Sequence, residues 1–375
     1  MTRPSITAAM IVRDEERYLE ECLAIAADHV DEIVVVDTGS TDRSLEIARA
    51  AGALVHETTW QDDFAAARNT ALDLATSEWI LYIDADERVV NGLAAADLDA
   101  LADPAVVAAR CRFSVHPDLT RYWEYRLFRN RPDIRYEGRI HETMVPALTR
   151  LEAEGHRIVC TSLAIDHLGY VGDQTAKHHR NLPLVERQVR TDPGRGYLWY
   201  HLGSIHLGLG DPDAAEEAWR AGVDASRERA EANPLDVLCY SALATLVLAD
   251  DRRGGATTAR MLVDEMRGRL PHSHQVDWVD ANVALAEARW ADARAGFERL
   301  ASVDPDTLVD PCLAFERDIF RAGAYHGMGV SHFELGDAAE AARWFAAAER
   351  CRPDVPTYRA KRVAAEHRAR SGADR

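Results

Sequence analysis

Four short apolar runs, each followed by a stretch with a different period, dictate most of what the first 85 residues can become. The runs are Ile6–Val12, Glu32–Asp37, Leu54–Glu57 and Trp79–Ile83. Ile6–Val12 is typical of a strand buried in a parallel sheet, and Leu54–Glu57, half of it polar, reads as a short strand. Between the first two, Leu19, Cys22, Leu23 and Ala26 recur at helical spacing within Glu16–Ala27. Arg43–Ala51 reads as a second helix, stopped by Gly52. Phe64–Ala75 reads as a third, with Asp63 as its N-cap. Strand and helix alternating in this way imply a parallel sheet with right-handed crossovers. Ligands of such sheets bind beyond the carboxyl ends of the strands. Asp37 and Asp84 each close a run, so both are expected at that edge.

Beyond residue 100 the grammar changes twice. Val106–Phe113, Tyr122–Arg129, Ile134–Glu137 and Ile158–Ile165 are shorter β-like pieces, read as a mixed extension of the sheet that carries acceptor-side residues. After about residue 185 the chain reads as helical and repeats itself. Trp199, Leu202, Gly203, His206, Ala215 and Trp219 recur with the same spacing as Tyr325, Met328, Gly329, His332, Ala341 and Phe345. Gly210–Asp211 recurs as Gly336–Asp337, and a third copy is centred on Ala281, Ala293, Phe297 and Pro305. Copies between Leu235 and Leu270 are degenerate. The expected architecture is an α/β domain over residues 1–185, with a mostly parallel, Rossmann-like sheet, followed by an all-α tetratricopeptide-like domain over 186–375.

A net charge of -18 argues against nucleic acid as a partner. It does not exclude a diphosphate, which a divalent cation and a few arginines can hold locally. The six cysteines form no CxxC pair, which points to free thiols in a reducing compartment. Asp14, Glu15 and Glu16 interrupt the first apolar run, so no signal peptide is expected. Val237–Ala249 is shorter than the roughly 20 residues a spanning helix needs. A cytoplasmic protein is the expectation.

The sharpest local motif is Asp84-Ala85-Asp86-Glu87, directly after the fourth run. Hard divalent cations are held by one or two carboxylates together with substrate phosphates. The same acids also suit a helix N-cap, but their place at a strand end beside other acids favours a cation site. Asp37-Thr-Gly39-Ser40-Thr-Asp42 is a small-residue turn into a helix, and Ser40, Thr41 or Asp42 can cap that helix. No GxGxxG follows the first strand, which disfavours a Rossmann dehydrogenase. Arg68 is flanked by small apolar residues in Asp62-Asp-Phe-Ala-Ala-Ala-Arg68-Asn69. It either reaches a diphosphate or forms a buried pair with Asp62 or Asp63.

Taken together, Val12-Arg13-Asp14-Glu15, VVVDTGSTDRS, DDFAAARN and ILYIDADE resemble, in order and spacing, the inverting family 2 glycosyltransferases with the GT-A fold. The nearest likeness is to the branch with C-terminal tetratricopeptide repeats, which includes the S-glycosyltransferases of sublancin-type peptides. Lipopolysaccharide-core glucosyltransferases share much of the catalytic half. Arg13 and Asp14 stand where that family often has Lys and Asn. The resemblance implies a nucleotide-sugar site formed by Val12, Arg13, Asp14, Glu15, Asp37, Gly39, Ser40, Arg68, Asp84 and Ala85. Within it Asp37 would face the base or ribose and Arg68 the diphosphate. Asp86 would ligate Mn²⁺ or Mg²⁺, Asp84 would contact the ribose or a metal-bound water, and His167 would complete the metal shell. His167 also suits a satisfied core position near Tyr170. Lys177 and Arg180, one helical turn apart, would close over phosphate or form a solvated face.

Inverting transfer needs a base on the acceptor side. Glu142 is the expected base, with His141 and Glu137 as rivals in the same loop. The donor would be a nucleotide sugar, with uridine diphosphate the family's usual carrier. The acceptor would be a peptide, a glycan or a small natural product. Helical repeats present a concave surface, which can bind an acceptor, bind a partner or pair two copies. Two other classes compete. A nucleotidyltransferase carries a Gly-rich basic loop after its first strand, where this chain has Arg13-Asp-Glu-Glu16. A sugar-nucleotide-binding scaffold with a dead catalytic half is the non-enzyme reading, and the intact Asp37, Asp84 and Asp86 speak against it.

Overall fold

The computed structural model describes residues 3–169 and 174–373. Tyr170, named above beside His167, lies outside the described residues. In the N-terminal half, β1 (Ile6–Val12), α1 (Leu19–Ala27), β2 (Glu32–Asp37), α2 (Ser44–Ala50), β3 (Leu54–Glu57), α3 (Phe64–Leu74) and β4 (Trp79–Tyr82) follow in the expected order. Then come β5 (Glu87–Asn91), α4 (Ala95–Leu101), β6 (Val106–Ser114), β7 (Arg121–Arg129), α5 (Val145–Ala153), β8 (Arg157–His167) and α6 (Thr175–Thr191). The sheet runs β3-β2-β1-β4-β7-β6-β8-β5. Its first four strands are parallel, and β7 enters antiparallel to β4. From β1 the chain winds first to β2 and β3, then returns to β4 on the other side. The carboxyl ends of β1 and β4 therefore form the switch point at which ligands of open α/β sheets bind.

Period-two alternation builds a core on each face. Ile6, Ala8, Met10 and Val12 of β1 pack with Leu19, Cys22 and Leu23 of α1. Ala9 faces the opposite way, among Val34, Val36, Ala71 and Leu72. Ile134–Glu137 is not a strand, contrary to the sequence pattern. Ile134 and Tyr136 are buried as a strand's alternation would bury them. The backbone of Tyr136, however, is satisfied by a side chain: Asn69 Nδ2 donates to its carbonyl and Asn69 Oδ1 accepts its N–H, each at 2.9 Å.

In the second half, α7 (Gly196–Gly208) pairs with α8 (Pro212–Arg227) and α9 (Val237–Ala249) with α10 (Gly255–Arg269). Next, α11 (His274–Ala286) pairs with α12 (Trp290–Ala301), and β9 (Val309–Asp310) follows. Last, α13 (Ala322–Glu334) pairs with α14 (Ala338–Cys351), against which α15 (Pro356–Ala373) packs. The recurring residues have a steric cause. A Cβ on Gly203 would sit 2.3 Å from the Trp219 indole nitrogen, and one on Gly329 would sit 2.6 Å from the Phe345 ring. The turns match as well: Asp211 and Asp337 donate their N–H to His206 and His332. Both then cap the next helix through their carboxylates. The degenerate stretch Leu235–Leu270 forms α9 and α10 all the same.

The chain divides into units of residues 1–117, 121–188 and 309–314 on one side, and 118–120, 189–308 and 315–375 on the other. The division falls at 188 rather than 185, and β9 belongs to the first unit, where it pairs with β7. Sequence periodicity assigned that strand to the helical half. Among the described residues no helix is long and apolar enough to cross a membrane.

Candidate active site

The loops after β1 and β2 are stitched to one another by side chains. Asp14, at φ 55°, donates its N–H to Ser40 Oγ at 3.0 Å and accepts the Thr41 N–H at 2.7 Å. Glu15 N–H reaches Ser44 Oγ at 2.8 Å, and Glu16 N–H reaches Asp42 Oδ2 at 2.9 Å. Asp14 and Ser40 thus shape the loops. Gly39, at φ 107°, takes the left-handed turn that lets its own N–H and that of Ser40 both donate to Asp37 Oδ1 at 2.9 Å. Asp37 is 3% exposed, and its other oxygen, Oδ2, is buried with no hydrogen-bond partner. A buried acceptor left unmet costs about 1–3 kcal/mol. Val12 is buried, and its carbonyl accepts both the N–H and the hydroxyl of Thr38.

A chain of buried charges runs under the loop after β4. Arg68 Nη1 and Nη2 donate to the two oxygens of Asp84 at 3.1 and 3.3 Å. Nη2 also meets Tyr82 Oη at 2.7 Å, and Nε pairs with Glu142 Oε1. Tyr82 Oη donates to Asp84 Oδ2 at 2.8 Å. The Tyr82 ring has Arg68 Cζ 4.0 Å from its centroid and Arg126 Cζ 4.2 Å from it. Arg126 then clasps Glu87 through two bonds of 3.0 and 2.8 Å, and Glu87 Oε2 accepts the Asp84 N–H. Burial alone would lower the Arg68 pKa, but Asp84, Tyr82 and Glu142 hold it well above the ordinary value. Burial likewise opposes ionisation of Asp84, yet Arg68 and Arg126 keep its carboxyl below the usual range. Burial pushes the Glu87 carboxyl up to about 7 against the pull of Arg126. The two parallel N–H···O bonds are those of a carboxylate.

This geometry revises two expectations. Arg68 is buried, and its donors are engaged inside the protein rather than held out to a diphosphate. Its partners are Asp84 and Glu142, not Asp62 or Asp63; Asp63 caps α3. Both Asp84 oxygens are engaged by Arg68 and Tyr82, so in this arrangement neither is turned to a cation.

Asp86 is oriented differently. Its Oδ2 lies 3.1 Å from His167 Nε2, and its backbone carbonyl accepts the Leu168 N–H at 2.8 Å. The carboxylate lies against Gly169, where a Cβ would come within 1.9 Å of Oδ2. Ala85 is a buried spacer whose carbonyl accepts Arg88 Nη1 at 2.9 Å, while Arg88 Nη2 holds the Tyr18 carbonyl. Burial first, then the charges of Asp86, Asp84 and Asp42, push the Glu15 carboxyl up to about 7, with Arg180 opposing. Burial and Arg180 lower the Lys177 pKa, against the pull of Asp86, Asp84 and Glu15. Burial and the charge of Arg13 lower that of Arg180. The loops after β1 and β4 thus carry acids, Glu15, Asp84 and Asp86, within electrostatic reach of Lys177, with Arg180 acting on Glu15 and Arg13 on Arg180.

The loop of residues 137–143 is held as a closed turn. Glu137 and Thr143 exchange backbone bonds of 2.9 and 3.0 Å, and His141 sits at φ 51°. Glu142 is nearly buried beside Arg68, His141 is half-buried and Glu137 is exposed. Tyr82, Arg126 and Gly169 were not assigned a role from sequence, nor was Glu87 within its motif. Arg126 carries the signal that flagged Arg68, a guanidinium among apolar neighbours in Tyr125-Arg126-Leu127-Phe128. Among the described residues no three His, Cys, Asp or Glu side chains are grouped to hold a metal ion.

Comparison with known proteins adds sequence likeness over both halves. The model of glycosyl transferase family 2 matches residues 7–166, and that of a tetratricopeptide repeat matches residues 197–229. A TPR repeat-containing protein of Synechococcus elongatus is 35% identical over 266 residues, covering 68% of this chain and 64% of its own. The chain thus spans a little under two thirds of that relative. The SPbeta prophage-derived glycosyltransferase SunS of Bacillus subtilis is 26% identical over 331 residues, covering 84% of this chain and 72% of its own. Among solved structures, a mannosyltransferase of Pyrobaculum calidifontis in complex with GDP-Man and Mn²⁺ is 20% identical. It covers 73% of this chain and 89% of its own, with a TM-score of 0.40.

Proposed function

Residues 7–166 belong to glycosyl transferase family 2 and the helical half carries a tetratricopeptide repeat; on that premise we propose that the chain transfers a sugar from a nucleoside diphosphate to a hydroxyl or thiol. Uridine is the proposed nucleoside, transfer inverts the anomeric centre, and a divalent cation, Mn²⁺ or Mg²⁺, takes part. The acceptor class is a peptide, a glycan or a small natural product. Six unpaired cysteines support a reducing, cytoplasmic setting.

One observation carries the reading: Asp86 Oδ2, in the loop after β4, and His167 Nε2, at the end of β8, stand 3.1 Å apart, within electrostatic reach of Lys177. Neighbouring ligands of an octahedral cation at 2.0–2.1 Å stand about 3 Å apart, so the pair fits two positions of one cation. That no third ligand is grouped with them among the described residues fits too, because such cations keep positions for phosphate and water. When bound, the cation stabilises charge on the departing diphosphate.

The remaining roles belong to the chain. Asp37 Oδ2 accepts a donor from the nucleoside, a base N–H or a ribose hydroxyl, which removes the cost of its buried, unmet state. Arg13, Lys177 and Arg180 bind the diphosphate. Asp84 keeps Arg68 in place, and Arg68 in turn orients Glu142 through Oε1. Glu142 Oε2 takes the proton from the acceptor hydroxyl or thiol, as that atom bonds to the anomeric carbon and the carbon–diphosphate oxygen bond breaks. The repeat half supplies a surface for the acceptor, for a partner or for a second copy.

The test is turnover of a sugar-nucleotide panel by wild type, Asp86→Ala and Glu142→Gln. Metal-dependent turnover that is lost in Asp86→Ala is the expected result. Undiminished turnover in that variant would refute the cation site, and tight binding without any turnover would favour a scaffold.

A further inference from the structure

Only two of the 44 basic Lys and Arg residues are lysines, Lys177 and Lys361. Lys361 lies in the repeat unit, far in sequence from every residue assigned above. Arginine occupies positions 359, 362, 368 and 370 of the same helix, α15. The lysine stands where the helix borders a cavity of about 170 Å³, walled by Val330, Phe333, Phe345 and Ala364 with Glu334 beside them. A cavity of roughly 150 Å³ with apolar walls is enough to hold a benzene-sized molecule. Lys361 Nζ lies 2.9 Å from His326 Nε2 and 6.0 Å from the Phe345 ring centroid. The imidazole is itself wedged between the rings of Phe345 and Tyr358.

We propose that Lys361 is a carbonyl-capture site: the cavity admits a small aromatic or aliphatic aldehyde, and the lysine amine condenses with it to an imine. The amine lone pair bonds to the carbonyl carbon as the C=O π pair moves onto oxygen. The two protons of the amine end on that oxygen, which leaves as water, and C=N forms with no change of oxidation state. The protons pass to the departing oxygen through solvent, while His326 Nε2, in contact with Nζ, orients the amine. Burial, and then the Lys361 charge, push the His326 pKa down to about 4, so the ring is neutral and does not repel the amine. Burial lowers the Lys361 pKa as well, with Glu334 opposing. An arginine serves none of these steps, because guanidinium does not deprotonate in proteins. This fits a lysine, and not an arginine, at the basic position of this helix that lines the cavity.

The chain has three kinds of primary amine to compare: Lys361, Lys177 and the α-amine. The full-length protein is treated with benzaldehyde and cyanoborohydride at neutral pH, and the benzylated peptides are quantified by mass spectrometry. Lys361 is expected to be labelled about ten-fold faster than Lys177 and the α-amine, because the cavity holds the aldehyde beside Nζ. In a Val330→Trp variant, which fills the cavity, that preference disappears while the circular dichroism is unchanged. Labelling of Lys361 no faster than Lys177 and the α-amine overturns the proposal. So does undiminished labelling in a folded Val330→Trp variant, which would mark Lys361 as an ordinary surface amine. Neither result bears on sugar transfer, so this proposal and the glycosyltransferase reading fail separately.

Discussion

Replacing Arg68 by methionine removes the one guanidinium that serves both Asp84 and Glu142. The side chain is 9% exposed, and that of Glu142 is 12% exposed. Methionine fills most of the volume but leaves two carboxylates in a site built for a cation. Breaking a buried pair by removing one partner costs about 3–5 kcal/mol, because an uncompensated charge stays behind. The expected loss for Arg68→Met is therefore about 4 kcal/mol in the N-terminal unit. It is read most directly by hydrogen exchange on peptides from β1 and β4, which protect the core of that unit. The pH dependence gives a second reading. Asp84 has a folded pKa below its ordinary 3.8, so its contribution is present above that value and is lost as pH falls through the folded pKa. The gap between wild type and variant should be widest near neutrality and should narrow on acidification below 3.8. Adding Glu142→Gln to Arg68→Met should restore part of the loss, since one stranded charge becomes neutral. A loss under about 1 kcal/mol, the scale of an exposed pair, would refute the claim that these charges are interlocked. A gap that does not change with pH would refute it too.

Three further outcomes follow from particular contacts. Gly169→Ala should drive the Asp86 carboxylate from its place, since the new Cβ would fall 1.9 Å from Oδ2; Mn²⁺ affinity by calorimetry should drop by about 10- to 100-fold, with the melting midpoint unchanged. Glu15, with its carboxyl raised to about 7, contributes stability that is full below its ordinary pKa and lost as pH rises through 7; the metal-free N-terminal unit should therefore melt lower at pH 8 than at pH 6, and Glu15→Gln should flatten that slope. Ala288 sits at φ 56° in the α11–α12 turn, where the matching turns have Gly210 and Gly336 at positive φ; Ala288→Gly should stabilise the repeat unit by about 0.5–1 kcal/mol, which urea unfolding can resolve.

The parallel half of the sheet was legible because β1, β2 and β4 are built on largely apolar runs and each crossover helix has its own period. Asp37, Asp84 and Asp86 were placed at the sheet edge on that ground alone. The orientation of their side chains was not legible, because it depends on partners distant in sequence. Arg68 turns Asp84 inward only once Glu142, 74 positions away, and Tyr82 have joined it. The loop around Ile134–Tyr136 misled for a related reason. Its alternation is that of a strand, yet its backbone is satisfied by Asn69, which no local pattern reveals. β9 was hidden because two residues of strand within a helical repeat leave no periodic trace. The repeat pairs were readable to the residue, since each recurring glycine accommodates an indole or phenyl ring that recurs with it.

Calorimetric titration of UDP into the wild-type chain and into Asp86→Ala, each with Mn²⁺ and with EDTA, tests the central claim most directly. Binding that needs Mn²⁺ in the wild type and collapses in the variant is the predicted result. Equal affinity in all four titrations would contradict a cation bridge between Asp86 and a diphosphate.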